Sequence, residues 1–239
     1  IGMGKQMLVF VSSRSSAQKE ARELSGHLKT KLESGDLGFT EAVVESWTSM
    51  SQQLWRGEDG SATVKALSNS VRGGVGFHHA GLTSSQRKVI ENGFRCGNLQ
   101  CIVATPTLAQ GVNLPASRVV VRDTRRWSTI ASRSMPLPVM EVRQMMGRAG
   151  RPGFDDFGES FLVSKNIQDE SNLIELYLKG ESEQVTSKLA NPSAQHAEQD
   201  GALLAHILSI VATAGINDRD GTVSYTHLTL PTTRGGCRS

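Results

Sequence analysis

Long apolar runs, paired cysteines and strong net charge are all missing from this chain, and each absence removes a class of protein. No hydrophobic stretch approaches the eighteen residues that a membrane-crossing helix needs, and no signal-peptide pattern opens the sequence. Neither a membrane nor export is therefore expected. The three cysteines, Cys96, Cys101 and Cys237, have no metal-ligand spacing and form no even set, so reduced thiols in a cytoplasm are the plain reading. A net charge of +3 is too mild to announce nucleic acid by itself. The chain opens without methionine, as a piece cut from a longer one would. Its Gly2-Met3-Gly4-Lys5 is not a phosphate loop, because it precedes a strand instead of following one and Gln6 stands where a magnesium-binding hydroxyl belongs.

What is present begins with the distribution of charge. Between Arg118 and Arg151 there are eight arginines, no lysine and two acids, Asp123 and Glu141, a local excess of six positive charges that suits an anionic partner. The densest part is Gln144-Met145-Met146-Gly147-Arg148-Ala149-Gly150-Arg151-Pro152-Gly153. The spacing predicts a helix over 139–149, with Arg148 and Arg151 on one face of its last turn, Gly147 and Gly150 leaving that turn bare, a buriable Gln144, and Pro152 as the stop. Guanidinium groups offer planar paired donors and stay charged, so such a turn suits a polyphosphate. A solvated, dipole-favoured helix end would account for one arginine and less well for both glycines. The stretch resembles the last motif of superfamily 2 helicases, Q-x-x-G-R-x-G-R, in the form used by archaeal HelQ-type DNA helicases and their RNA-helicase relatives.

The rest of the chain falls into order around it. Met7 to Val11 reads as a buried parallel strand, and Ala17, Ala21, Leu24 and Leu28 recur at the spacing of a following helix, with Ser15 and Gln18 as a candidate capping box. Ligands of open α/β sheets gather at the carboxyl ends of strands, which nominates Ser12, Ser13 and Arg14. Residues 34–70 look like a helical surface insertion anchored by Trp47 and Trp55. Val75 to Phe77 is a short strand running into His78 and His79, which on extended backbone point to opposite sides and so make a poor metal pair. This H-H-A-G-L segment also matches the helicase group, where it is a coupling loop that faces nucleic acid, implying a contact by His79.

Gln100 to Ala104 is another strand, and Thr105 to Ala116 forms a threonine-led turn, a short helix and a glycine corner. Hydroxyl and amide groups there suit phosphate. The segment resembles the family's fifth motif, which implies backbone contacts by Thr105 and Thr107 and puts Gln110, Gly111 and Asn113 toward the ATP cleft together with Gln144 and Gly147. Val119 to Val121 is a strand. Arg122 to Pro138 is long for a connection and suits a projecting β-hairpin with Arg125, Arg126 and Trp127 near its tip. In the resembling helicases a hairpin at this place splits the duplex.

The expected fold is α/β: a RecA-like parallel sheet with helices on both faces over residues 1–165. A helix and linker follow over 166–200, then the opening of a winged-helix domain over 201–222. Residues 223–239 change character and resemble translated adapter sequence, so they are set aside. The resemblance implies the C-terminal motor domain of an ATP-dependent 3′-to-5′ helicase acting on single-stranded or branched DNA, with Arg148 and Arg151 as arginine fingers. Neither a G-x-x-x-x-G-K-[ST] loop nor an acidic D-E-x-H box occurs here. Mg2+ would accordingly belong to the missing first RecA-like domain of the same chain. Two other readings stay open, a related motor acting on RNA and a basic α/β module that binds nucleic acid without using ATP.

Overall fold

The computed structural model describes residues 5–55, 61–129, 131–151, 153, 155–181 and 208–209. The chain divides into two compact units, Ile1–Glu183 and Gln184–Ser239. Only Leu208 and Ser209 are described in the second, so apart from these two residues the expected winged-helix opening, and all of the adapter-like tail, lie outside the described residues.

Four-residue apolar strands and amphipathic helices alternate along the first unit. They are β1 (Met7–Phe10), α1 (Arg14–Glu33), α2 (Glu41–Trp55), α3 (Ala62–Val71), β2 (Val75–His78), α4 (Ser84–Arg95), β3 (Cys101–Ala104) and α5 (Thr107–Gly111). There follow β4 (Arg118–Val121), β5 (Arg125–Ser128), β6 (Arg133–Pro136), α6 (Val139–Met146), β7 (Glu159–Leu162) and α7 (Ile167–Leu173), which runs on as a π-helical turn over Ile174–Lys179. Strands buried on both faces read as continuous hydrophobic runs, and β3 (Cys-Ile-Val-Ala) is wholly buried in this way.

The five long-range strands pair in parallel in the order β2-β3-β1-β4-β7. Helices cover both faces, as the alternation along β2 requires. His78 reaches Glu91 of α4 and Gly76 lies beneath Ile90 of α4, whereas His79, one residue past His78, meets Gln18 of α1. The expected fold class therefore holds. Among the described residues no helix is long and apolar enough to cross a membrane.

Three local expectations change. Helix α1 starts earlier than a Ser15–Gln18 box would require, because Ser13 caps it by accepting from the Ser16 amide at 3.1 Å, and Gln18 is turned toward His79. The capping box occurs instead on α4, between Thr83 and Gln86. Residues 34–70 are less an insertion than a layer, since Leu67 and Val71 of α3 enter the core. Trp47 alone is a deep anchor: it is buried against Gly74 and donates from Nε1 to the Asn98 carbonyl at 2.6 Å. Trp55 is 39% exposed and donates to Ser68 Oγ.

The hairpin is present as the antiparallel pair β5·β6, with Arg126 opposite Met135 and Trp127 opposite Ser134. Its base is fastened from below. The Tyr177 hydroxyl, on the buried side of the π-helical turn, shares its proton between the carbonyls of Thr124 (3.1 Å) and Leu137 (2.9 Å). A buried phenol satisfied in this way ties the described part of 166–200 to the sheet domain, within the same compact unit.

Candidate functional site

Most of the residues singled out in the sequence assemble along one edge of the sheet. Ser12 and Arg14 follow β1, His79 follows β2, and Thr105 and Thr107 follow β3, while Arg125 to Trp127 leave the end of β4. Since β2, β3, β1 and β4 are neighbours in that order, all these positions line the carboxyl edge. Their exposure differs. Arg14, Thr107, Arg125 and Arg126 are exposed, and Trp127 is 67% exposed at the hairpin. Thr105 is buried, its hydroxyl 3.0 Å from that of Thr107.

His79 does not reach the surface. It is 2% exposed, stacked on Phe77, paired with Gln18 at 3.3 Å, and it accepts the Gly81 amide at Nδ1. That position makes it a support for the loop in which Gly81 lies near the Arg14 guanidinium, and corrects the expectation of a direct contact. Burial and the Arg14 charge hold its pKa below the usual 6.5, which keeps the ring neutral and able to accept from Gly81. His78 is also held below 6.5, because burial outweighs the opposing pull of Glu91 at 3.0 Å.

The arginine pair departs from its expected geometry. Helix α6 ends at Met146 with Gly147 as its cap, three residues short of the expected end, so neither arginine lies on a helical turn. The chain instead pairs Ala149 in parallel with Ala116, just ahead of β4, and turns at Gly150, whose φ of +91° favours glycine. The two side chains consequently separate. Arg148 reaches Asn113 Oδ1 at 3.1 Å and the Ala109 carbonyl. It borders a cavity of about 650 Å³ with Pro138, Gln144 and Gly147. Gln144 stands exposed on that rim instead of buried. Gln110 and Gly111 belong to α5, but their side chains lie outside the described residues.

Arg151 turns the other way. Its Nε and Nη2 donate to Asp155 at 2.8 and 3.0 Å, and Nη1 donates to Gln6 Oε1 at 3.1 Å. Ser117 Oγ and the Arg151 amide complete the shell of Asp155, and the guanidinium holds that carboxyl down at about 2. Asp155 was not foreseen, although its spacing of four from Arg151 was a visible signal. Asp123 was likewise missed. It accepts from the amide and hydroxyl of Ser12 at 2.9 and 3.1 Å, which fixes the first turn after β1.

Acids from inside and outside the arginine-rich window neutralise part of its charge. Arg118 pairs with Glu159, Arg122 with Glu20 and Asp123, Arg126 with Glu141, and Arg151 with Asp155. For Arg148 the described partners are carbonyl oxygens and not a carboxylate. Among the described residues no group of three or more His, Cys, Asp or Glu side chains is placed to hold a metal ion.

A parallel sheet flanked by helices, with threonines and a hairpin at one edge, is consistent with a RecA-like helicase fold. Residues 43–153 match the helicase conserved C-terminal domain. More particularly, the chain is similar to the archaeal Hel308 proteins. It is 40% identical over 210 residues to the ATP-dependent DNA helicase Hel308 of Methanocella arvoryzae, covering 88% of this chain and 26% of that protein. The Pyrococcus horikoshii Hel308 is 38% identical over 213 residues (89% and 27%), and that of Pyrococcus abyssi 39% over 215 residues (90% and 27%). The chain thus spans about a quarter of the length of these curated relatives.

The arginines should separate in a stability measurement. Arg151→Ala leaves Asp155, whose side chain is 4% exposed, without its cation. The expected loss at neutral pH is about 2 kcal/mol, below the roughly 3–5 kcal/mol of a fully enclosed pair because Arg151 is partly open. Arg148→Ala should cost far less. Because the folded pKa of Asp155 is depressed from 3.8 to about 2, its contribution is full above the unfolded value and is lost as pH falls from 3.8 toward 2. Urea unfolding of wild type and Arg151→Ala should accordingly differ at pH 7 and converge in strong acid. A gap that persists at low pH would contradict the assignment.

Proposed function

We propose that this chain supplies the second motor domain of an ATP-dependent 3′-to-5′ DNA helicase, closing on a nucleotide held by a first RecA-like domain. The observation that carries the reading is Arg148, a guanidinium set by carbonyl oxygens at the rim of an open cavity whose described carboxylate, Glu141, is paired with Arg126. A charge held in that way is preorganised for an anion and needs little rearrangement when one arrives. ATP, when bound, supplies the phosphoryl group whose transfer drives the motor. Arg148 would stabilise charge developing on that group, with Gln144, Gly147 and Asn113 shaping the rim and Gln110 and Gly111 lying alongside. Arg151 could join only by giving up Asp155, so its part as a second finger depends on a rearrangement at that ion pair.

Mg2+ would be held by the first motor domain, because Asp123, Glu141 and Asp155 are each engaged by an arginine here. On the opposite edge Arg14, Thr105 and Thr107 would hold the backbone of the strand, with Ser12 and His79 fixing the loops that carry them. The relatives' names as DNA helicases favour DNA over RNA. The cavity at Arg148 favours a motor over a purely binding module.

In the full-length enzyme, Arg148→Ala should cut ATP turnover by on the order of 10³-fold, the scale of losing an arginine finger. Near-normal turnover would remove the central element of the reading.

The hairpin has a separable role. Trp127 projects a flat aromatic face, and Arg125 stands exposed next to it, donating to the Ser134 carbonyl at 2.7 Å. Stacking on one freed base is worth roughly 1–3 kcal/mol, enough to bias a fraying junction but small beside the summed backbone contacts. Trimming Arg125 to Met135 to a short turn in the full-length enzyme should spare ATPase stimulated by single strands and abolish duplex unwinding. Parallel loss of both activities would make the segment part of the motor's frame.

A further inference from the structure

A groove of about 640 Å³ between α1 and α3 takes no part in the assignments above. One wall is a stripe of α1 bearing Ser15, Lys19, Arg22, Gly26 and Lys29, successive positions four and three residues apart and so on one helical face. The stripe is about 21 Å long at 1.5 Å rise per residue. The other wall is α3, presenting Asn69 among small residues, and no acidic side chain lines the groove. Glu23 lies 4.0 Å from Lys19, while among the described residues Arg22 and Lys29 form no ion pair.

Gly26 is the second, independent observation. It sits exposed in the middle of a twenty-residue helix, where glycine weakens the helix, and apart from its neighbours and the helix's own backbone no described atom lies within 4 Å of the Cβ it lacks. Nothing inside this protein requires the space. A bare helix backbone between cations is suited to close approach by something that is not part of the fold.

We propose that the groove is a track for a single strand of nucleic acid, with phosphates seated on Lys19, Arg22 and Lys29. This rests on the helicase reading and extends its nucleic-acid path. The groove opens at Ser15, beside Arg14 on the carboxyl edge, so a strand leaving that edge can enter without crossing an acidic surface. A docked peptide helix would call for an apolar stripe, whereas these walls offer cations, hydroxyls and amides, the groups that bind phosphate and sugar.

The test uses the 239-residue chain and fluorescein-labelled oligothymidylates of about 5 and about 20 nucleotides, followed by anisotropy over a range of salt. Arg22→Gln with Lys29→Gln should leave the short strand's affinity unchanged and weaken the long strand about tenfold. The long strand's logarithmic salt slope should fall in magnitude by roughly 1.4, the share of two phosphate contacts on a single strand. Gly26→Gln should raise the melting temperature through helix propensity yet weaken the long strand, a combination that a purely structural role would not give. Arg87→Gln with Lys88→Gln, on α4 across the sheet, is the control for net charge. Equal long-strand affinity in wild type and the groove variant, or an equal loss in the control, overturns the proposal, as does a polyglutamate peptide that binds the groove more tightly than the long strand. If Thr105→Ala with Thr107→Ala leaves short-strand binding intact, the carboxyl-edge reading fails by itself, and a groove-dependent loss on the long strand still supports the track.

Discussion

The arrangement of this domain depends on one crossing of backbones. After α6 the chain runs into a parallel bridge between Ala149 and Ala116, where the Ala116 amide donates to the Arg148 carbonyl at 2.9 Å and the Gly150 amide to the Ala116 carbonyl at 2.7 Å. Gly158, just ahead of β7, lies across the same point so closely that a Cβ on it would stand 2.2 Å from the Gly150 nitrogen. A side chain at either glycine would force the strands apart or demand a left-handed conformation that L residues resist. Because the segment is clamped here, Arg148 and Arg151 leave it in opposite directions, one toward α5 and an open rim, the other into an ion pair with Asp155.

In the proposed reading, that clamp also keeps two kinds of contact apart on so small a body. The carboxyl ends of β2, β3, β1 and β4 carry the loops suited to a phosphate chain, while the bridge at Ala116 sits before β4, at the far end of the strands. Strands of four residues set these regions about 13 Å apart, with a buried sheet between them. Close-packed strands transmit displacement with little give. The segment from Thr105 to Ala116 spans the gap directly: Thr105 follows β3 at the carboxyl edge, and Ala109 and Asn113 of the same stretch hold Arg148.

Much of this was legible in the residues. Apolar runs such as Leu-Val-Phe-Val and Ile-Val-Ala can hardly be anything except buried strands, and Arg-Arg-Trp followed by Arg-Ser-Met-Pro around a long connection marked the hairpin. What the sequence concealed were partners distant along the chain. Glu20, Glu159 and Asp155 lie outside the arginine-rich window, so counting charges within it overstated the free positive potential. Three-residue spacing suggested a shared helical face for the arginines because periodicity assumes that a helix continues, and only the Gly150–Gly158 contact shows why it stops. His79 was misjudged for a similar reason: a histidine in a loop motif looks exposed until α1 is packed over it. Gly26 carried no signal in sequence at all, since its meaning is an empty space beside it.

The central claim is that Arg148 is held ready for charge that develops during phosphoryl transfer more than for the nucleotide at rest. The most direct measurement compares binding of ATP and of an ADP–aluminium fluoride transition-state analogue to the full-length enzyme and to its Arg148→Ala variant. The account predicts that the variant loses on the order of 10²-fold or more in affinity for the analogue and only a few-fold for ATP. Equal losses for the two ligands, or none for the analogue, would contradict it.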